Sequence, residues 1–281
     1  MKLGFYPGCS MQGSSPEYNE SLKAITNALN IPLETIADWN CCGATAAHNL
    51  NKSLAHALPA RIIALAEQQG LEEILVPCAA CYNRLCMVQH DLKEAPEEMQ
   101  KVNEEIQLTY KGNIRIINIL QFLEKYLVPA LDEKIINQFK HKVACYYGCL
   151  LVRPQNILKA DRYEDPLGME VIMKKLGAEP LDWAFKTECC GAGLSVSKTD
   201  IVVKLSGDIL EDAVLRGAEA MIVACPMCHS NLDMRRKAIN KHKANPIEIP
   251  VIYITQAIGL AMGIPAKQLG LKRHFVPAII D

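Results

Sequence analysis

Ile74-Leu75-Val76-Pro77-Cys78-Ala79-Ala80-Cys81 and Met221-Ile222-Val223-Ala224-Cys225-Pro226-Met227-Cys228 carry one pattern twice, an apolar run that ends in Cys-x-x-Cys. The pattern extends backwards in both places. Before Cys78 stand Cys41-Cys42-Gly43 and, further back, Tyr6-Pro7-Gly8-Cys9; before Cys225 stand Cys189-Cys190-Gly191 and Tyr146-Tyr147-Gly148-Cys149. The repeat is not confined to cysteine. Ile116-Ile117-Asn118-Ile119-Leu120-Gln121 parallels Val251-Ile252-Tyr253-Ile254-Thr255-Gln256. Duplication of one ancestral unit explains the series better than two separately acquired motifs.

Short apolar runs alternate with helical patterns along the whole chain. Strands are expected at 2–6, 33–37, 73–76 and 114–117, and again at 143–147, 220–224 and 251–254, with 180–185 leading to Cys189. Helices fall between them: one opens at Ser14-Ser15-Pro16, and others close at Gly70, Gly177 and Gly217. This alternation predicts an α/β fold with largely parallel strands. The 281 residues accommodate two domains, 1–128 and 141–281, joined by a connector at 129–140. The halves differ most between Cys149 and Cys189, where 39 residues replace the 31 between Cys9 and Cys41. The surplus falls in 152–168, a polar stretch read as a loop over a site.

Bulk properties narrow the function. A net charge of −1 with interleaved signs lacks the concentrated basic surface of a nucleic-acid binder. The amino terminus has no apolar core of a signal peptide, and no apolar run reaches the roughly 18–20 residues of a membrane span. A cytoplasmic protein without a transmembrane segment is expected. In that compartment thiols stay reduced, so the 12 cysteines point to metal rather than disulfides.

Ligands of α/β sheets collect at the carboxyl ends of strands. Cys9, Cys78, Cys149 and Cys225 each follow an expected strand, and Cys41-Cys42-Gly43 and Cys189-Cys190-Gly191 occupy strand-to-helix turns. Gly43 and Gly191 permit close backbone approach there, and turn amides favour an anionic group. Each half thus converges five thiolates. All-thiolate sites suit zinc or iron–sulfur clusters, and each of these ordinarily needs four ligands. A fifth, with two adjacent in sequence, favours an unusual iron–sulfur cluster.

The series Cys, Cys-Cys-Gly, Cys-x-x-Cys resembles the cysteine-rich CCG domain. Two such domains filling the chain resemble the B subunit of heterodisulfide reductase. The resemblance implies two Rossmann-like CCG domains, each holding a non-cubane [4Fe–4S] cluster. By motif match the ligands would be Cys9, Cys41, Cys42, Cys78 and Cys81, then Cys149, Cys189, Cys190, Cys225 and Cys228. It further implies a disulfide of two thiols between the domains, with each cluster passing one electron and taking one thiolate. The implied partners are a ferredoxin-like C subunit, served in turn by a flavin A subunit, since this chain carries no ferredoxin-type cysteine series. Either direction, reduction or formation of the disulfide, fits the family.

Rival readings stand beside this one. Similar domains occur in subunits of lactate, glycolate, glycerol-phosphate and quinone-linked succinate or fumarate enzymes, often with ferredoxin motifs in the same chain. A zinc-stabilised scaffold is the non-enzymatic alternative. Cys225-Pro226-Met227-Cys228-His229 matches a c-type haem attachment site, but its counterpart ends in Tyr82. Cys145 competes with Cys149 as ligand, and the Tyr-x-Gly-Cys match favours Cys149. Cys86 reads as a helical or buried thiol. His48, His56 and His90 have no metal-site spacing, and Arg235-Arg236-Lys237 reads as a solvated helix face.

Overall fold

The computed structural model describes residues 2–44, 47–241 and 243–278, with the side chains of His48 and Asn49 outside the description. In the first half the strands are β1 (Leu3–Phe5), β2 (Glu34–Thr35), β3 (Glu73–Leu75) and β4 (Arg115–Ile117). In the second they are β5 (Lys142–Tyr146), β6 (Glu179–Pro180), β7 (Ala220–Val223) and β8 (Val251–Tyr253). They form two sheets of identical order, β2-β1-β3-β4 and β6-β5-β7-β8, and every pairing is parallel. The α/β architecture and the duplication read from the sequence are both present. The central strands β3 and β7 are buried along their whole length, as a parallel sheet covered on both faces requires.

Local sequence sets the crossovers. Pro16 opens the Pro16–Ala28 helix directly after Ser15. Asn51 caps the Lys52–Gln68 helix by accepting hydrogen bonds from the amides of Ser53 and Leu54 at 2.8 and 3.3 Å. After β4 and β8 the repeat recurs in atomic detail. Gln121 accepts from the Asn118 amide at 3.0 Å, and Gln256 accepts from the Tyr253 amide at 2.9 Å. The helix begun at Ile119 continues through a wider turn and on to Leu131, so it takes up the first residues of the expected connector.

The halves are interlocked rather than merely adjacent. The Pro16–Ala28 helix lies on the second half, against the Ile254–Ala261 helix. Tyr18, fully buried, stacks on Tyr253 with centroids 4.1 Å apart and planes 4° from parallel. Its hydroxyl donates to the Ala224 carbonyl at 3.1 Å, and Ser21 Oγ meets Thr255 Oγ1 at 2.7 Å. In the return direction Asn83, buried in the Ala79–Lys93 helix, donates to the Arg153 carbonyl at 2.7 Å. Lys175 of the Gly168–Lys175 helix pairs with Asp132. One continuous core results.

Candidate metal centre

In a sheet of order 2-1-3-4 the chain turns opposite ways after its first strand, which leaves a crevice at the carboxyl ends of β1 and β3. The cysteines occupy that crevice in both halves. Cys9 follows β1 and Cys78 follows β3, while Cys81 sits in the first turn of the Ala79–Lys93 helix. Cys41 and Cys42 arrive from the segment after β2. Cys42 Sγ lies 3.1 Å from Cys81 Sγ, and Cys41 Sγ lies 4.0 Å from Cys9 Sγ. Gly43 turns its amide onto Cys41 Sγ at 3.5 Å. Cys42, Cys78 and Cys81 are buried, whereas Cys9 and Cys41 are exposed.

The second half repeats this arrangement. Gly191 donates its amide to Cys189 Sγ at 3.3 Å. Cys190, Cys225 and Cys228 are buried, Cys149 is half-buried and Cys189 is exposed. Asn231 adds an amide contact to Cys190 Sγ at 3.6 Å and bonds the Cys190 carbonyl at 3.3 Å. Close approach explains the glycine before each first cysteine. Gly8 and Gly148 have φ of +64° and +68°, and a Cβ on them would stand 3.3 Å from Cys81 Sγ and 2.9 Å from Cys228 Sγ. Any side chain there would intrude among the sulfurs.

The two sets are neighbours: Cys225 of one half helps to raise Cys78 of the other well above the ordinary thiol range, and Cys78 helps to lower Cys225. The thiols share protons unevenly. Hydrogen bonds from Cys41 and then Cys81 hold Cys42 at about 4, and one from Cys149 lowers Cys189 to about 6. Cys190 is lowered chiefly by Cys228, and Cys225 by Cys228 and then Cys78. Burial opposes this charge, yet the sulfurs concentrate it. Such a donor set suits a soft, cationic, multi-iron group better than a single four-coordinate ion.

The remaining cysteines are placed elsewhere. Cys145 is buried within β5, its thiol raised well above the ordinary range by burial and then by Glu170. Cys86 is pushed up to about 12 by burial. His229, the fifth residue of the haem-like motif, is buried, and its Nε2 lies 3.0 Å from the Val251 carbonyl and 3.2 Å from His274 Nδ1. His56 Nε2 lies 3.5 Å from Asp91 and its Nδ1 3.6 Å from Glu98. The reading of Arg235-Arg236-Lys237 as a solvated face needs correction at its centre. Arg236 is buried and donates to the carbonyls of Leu232, Ile247 and Ile249, the last at 2.9 Å. The helix there is broken between Ser230–Met234 and Arg236–Asn240, which turns Arg236 inward, while half-buried Arg235 donates to the Ser195 carbonyl at 2.6 Å and to Asn231 at 3.1 Å.

Two residues that sequence inspection treated only as lead-ins hold the sites in place. Tyr6 donates its hydroxyl to the Asn40 carbonyl at 2.8 Å, and Tyr146 donates to the Glu188 carbonyl at 2.6 Å. Those carbonyls belong to the residues just before Cys41 and Cys189. Each tyrosine also meets the tryptophan of its own half, Tyr6 against Trp39 at 5.5 Å and Tyr146 against Trp183 at 6.4 Å. The signal was available as Tyr-x-Gly-Cys in both halves, but nothing in it identifies the carbonyl partner. Tyr146→Phe is expected to lower stability by about 1 kcal/mol, and Tyr6→Phe by a similar amount. Urea melts of the two variants measure this, and no change in either would remove the pin from the account.

This duplicated crevice of thiols defines the class: the chain belongs to the CCG cysteine-rich domain family, which matches residues 3–86 and 143–233. Within that class its relatives include heterodisulfide reductase B subunits. It is 30% identical to the B subunit of the ferredoxin/F(420)H(2)-dependent CoB-CoM heterodisulfide reductase of Methanosarcina acetivorans, over 99% of this chain and 95% of that one. It is also 30% identical to the 8-methylmenaquinol:fumarate reductase membrane anchor subunit of Wolinella succinogenes, over 99% and 98%. Among solved structures, a hypothetical protein from Helicobacter pylori shares the fold, with a TM-score of 0.80 and 14% identity, over 99% of this chain and 52% of that one. Among the described residues no helix is long and apolar enough to cross a membrane.

Proposed function

We propose that this chain is the catalytic iron–sulfur subunit of a cytoplasmic heterodisulfide-reductase-like complex, reducing or forming a disulfide of two thiols. The observation that carries the reading is the same five-thiol set gathered at the crevice of each of two identically ordered sheets. In it, Cys9, Cys41, Cys42, Cys78 and Cys81 hold one non-cubane [4Fe–4S] cluster, and Cys149, Cys189, Cys190, Cys225 and Cys228 hold the other. Bound clusters supply one-electron exchange and iron sites for thiolate. The chain's own residues do the rest. The Gly43 and Gly191 amides bond the outer sulfurs, Gly8 and Gly148 clear space beside the inner ones, and the exposed Cys9, Cys41 and Cys189 mark the open side of each site. Division of the chain at 129–140 accompanies this proposal, as do two electron partners, one ferredoxin-like and one a flavoprotein.

The test is iron, zinc and acid-labile sulfide in protein purified without oxygen. About eight iron and eight sulfide per chain are expected; zinc without sulfide overturns the proposal in favour of a scaffold. The full-length relative in a menaquinol:fumarate reductase supports a second reading, electron transfer in a quinone-linked enzyme. Spectra that change on adding thiols favour the disulfide reaction. Spectra that respond only to a reduced quinone favour the second.

A further inference from the structure

The repeat holds for the cysteines but breaks beside them. In the second half the chain's own tail is held by residues whose counterparts can be read directly from the alignment of the halves. His229, Asp233, Val251 and Gln256 correspond to Tyr82, Cys86, Ile116 and Gln121. Gln256 Nε2 donates to the Leu269 carbonyl at 3.0 Å and lies 2.8 Å from His274 Nε2. The Val251 carbonyl accepts from His274 Nδ1 at 2.9 Å. Buried Asp233 takes the amides of Phe275 and Val276 at 2.8 and 3.0 Å. The second half thus grips its own tail, a turn and a short helix at Leu271–Arg273 followed by His274 to Val276, through both backbone and the His274 ring, and these bonds account for Asp233 and His274 lying side by side.

In the first half the four counterparts, Tyr82, Cys86, Ile116 and Gln121, line an open cavity of about 700 Å³. Its far wall is Asn156 to Lys159, part of the 152–168 insertion that distinguishes the halves. Its lining includes Lys93, Lys111, Arg115 and Lys159 beside His90, and among the described residues no aspartate or glutamate lines it. Glu73 partly neutralises Arg115, at 3.2 Å. Lys93, Lys111 and Lys159 enter no ion pair among the described residues. Met99, Tyr110, Ile157 and Leu158 add apolar surface between the charges.

We propose that this slot binds an acidic segment of a second polypeptide, in the place where the second half holds its own tail. The matching Gln121 lines the slot and suits a peptide carbonyl, as Gln256 suits that of Leu269 in the tail. The lysines suit carboxylates, each exposed pair being weak but several together steering and orienting the partner. The proposal does not depend on what the cysteines bind.

The native complex, isolated at low salt, provides the test. Carbodiimide coupling joins lysine amines to carboxylates without a spacer. It should link Lys93, Lys111 or Lys159 to one contiguous acidic segment of another polypeptide in the complex. Amide exchange at 109–116 and 155–159 should slow about tenfold in the complex relative to the isolated chain. The double substitution Lys111→Glu with Lys159→Glu should abolish both effects while leaving the thermal melt and iron content of the chain unchanged. The proposal is overturned if these lysines link only within their own chain and exchange is equal in the two states. It is equally overturned if inorganic pyrophosphate or ADP alone gives the isolated chain the same protection, which would make the slot a small-anion site.

Discussion

Replacing Cys42 with alanine is expected to empty the first site and spare the second, so that iron falls from about eight to about four per chain. Cys42 is the thiol on which the first set converges. It is buried, lies 3.1 Å from Cys81 Sγ, and is held at about 4 by hydrogen bonds from Cys41 and Cys81. Its loss removes a sulfur from the buried side of the set, next to Cys81. Cys190→Ala should produce the mirror result, because Cys190 occupies the same place beside Cys228. Both variants should lose turnover, since the proposed reaction needs an electron from each side of the disulfide. Metal analysis and the electron paramagnetic resonance spectrum of each variant measure the outcome. Full activity in both would end the two-cluster proposal. Loss of all iron in either would show instead that the sites are built cooperatively through Cys78 and Cys225.

Tyr18→Ala is expected to destabilise the chain by about 3–5 kcal/mol, a large share of the stability of an ordinary domain. The cost has three parts. A large buried ring is deleted, a parallel stack on Tyr253 is lost, and the Ala224 carbonyl is left without its donor. Tyr18→Phe isolates the last of these and should cost about 1 kcal/mol. The location of the loss matters as much as its size. Trp39 and Trp183 lie in different halves, so variants retaining one tryptophan each report on one half by fluorescence. Because the Pro16–Ala28 helix belongs to one half and rests on the other, both reporters should shift together in urea. A shift confined to Trp39 would mean that the halves unfold independently.

The sheets were legible because their signal is local. Apolar runs such as Ile74-Leu75-Val76 stop at Cys78, and the same stop recurs at Cys225, so strand, crevice and the place of these cysteines came from one pattern. The interlock was not legible. Tyr18, Leu22 and Ile25 have the spacing of a buried helical face, but that spacing cannot say which half buries it. Arg236 misled for a related reason: three basic residues in succession imply solvent, and only the break in the helix turns the middle one toward the Ile247 and Ile249 carbonyls. The tail at Leu269 to Val276 has no counterpart in the first half, so the repeat gave no guide to it. The pins at Tyr6 and Tyr146 stand between these cases, visible as conspicuous residues but mute about the carbonyls 34 and 42 positions away.

The crossed position of the Pro16–Ala28 helix says something about how such a chain arose. A lone half would carry Tyr18 and Ser21 on a helix with nothing beneath them, and would lack the helix that covers its own last strand. Two identical copies could satisfy both needs at once by each lending its helix to the other, the reciprocal contact of a two-fold pair. Fusion of two such genes would then preserve the pair while freeing its members to diverge. On this view the tail of the second half and the basic slot of the first are departures from an original symmetry. That symmetry is the one a homodimer of two such halves would have had, with the present chain as its two copies joined in sequence.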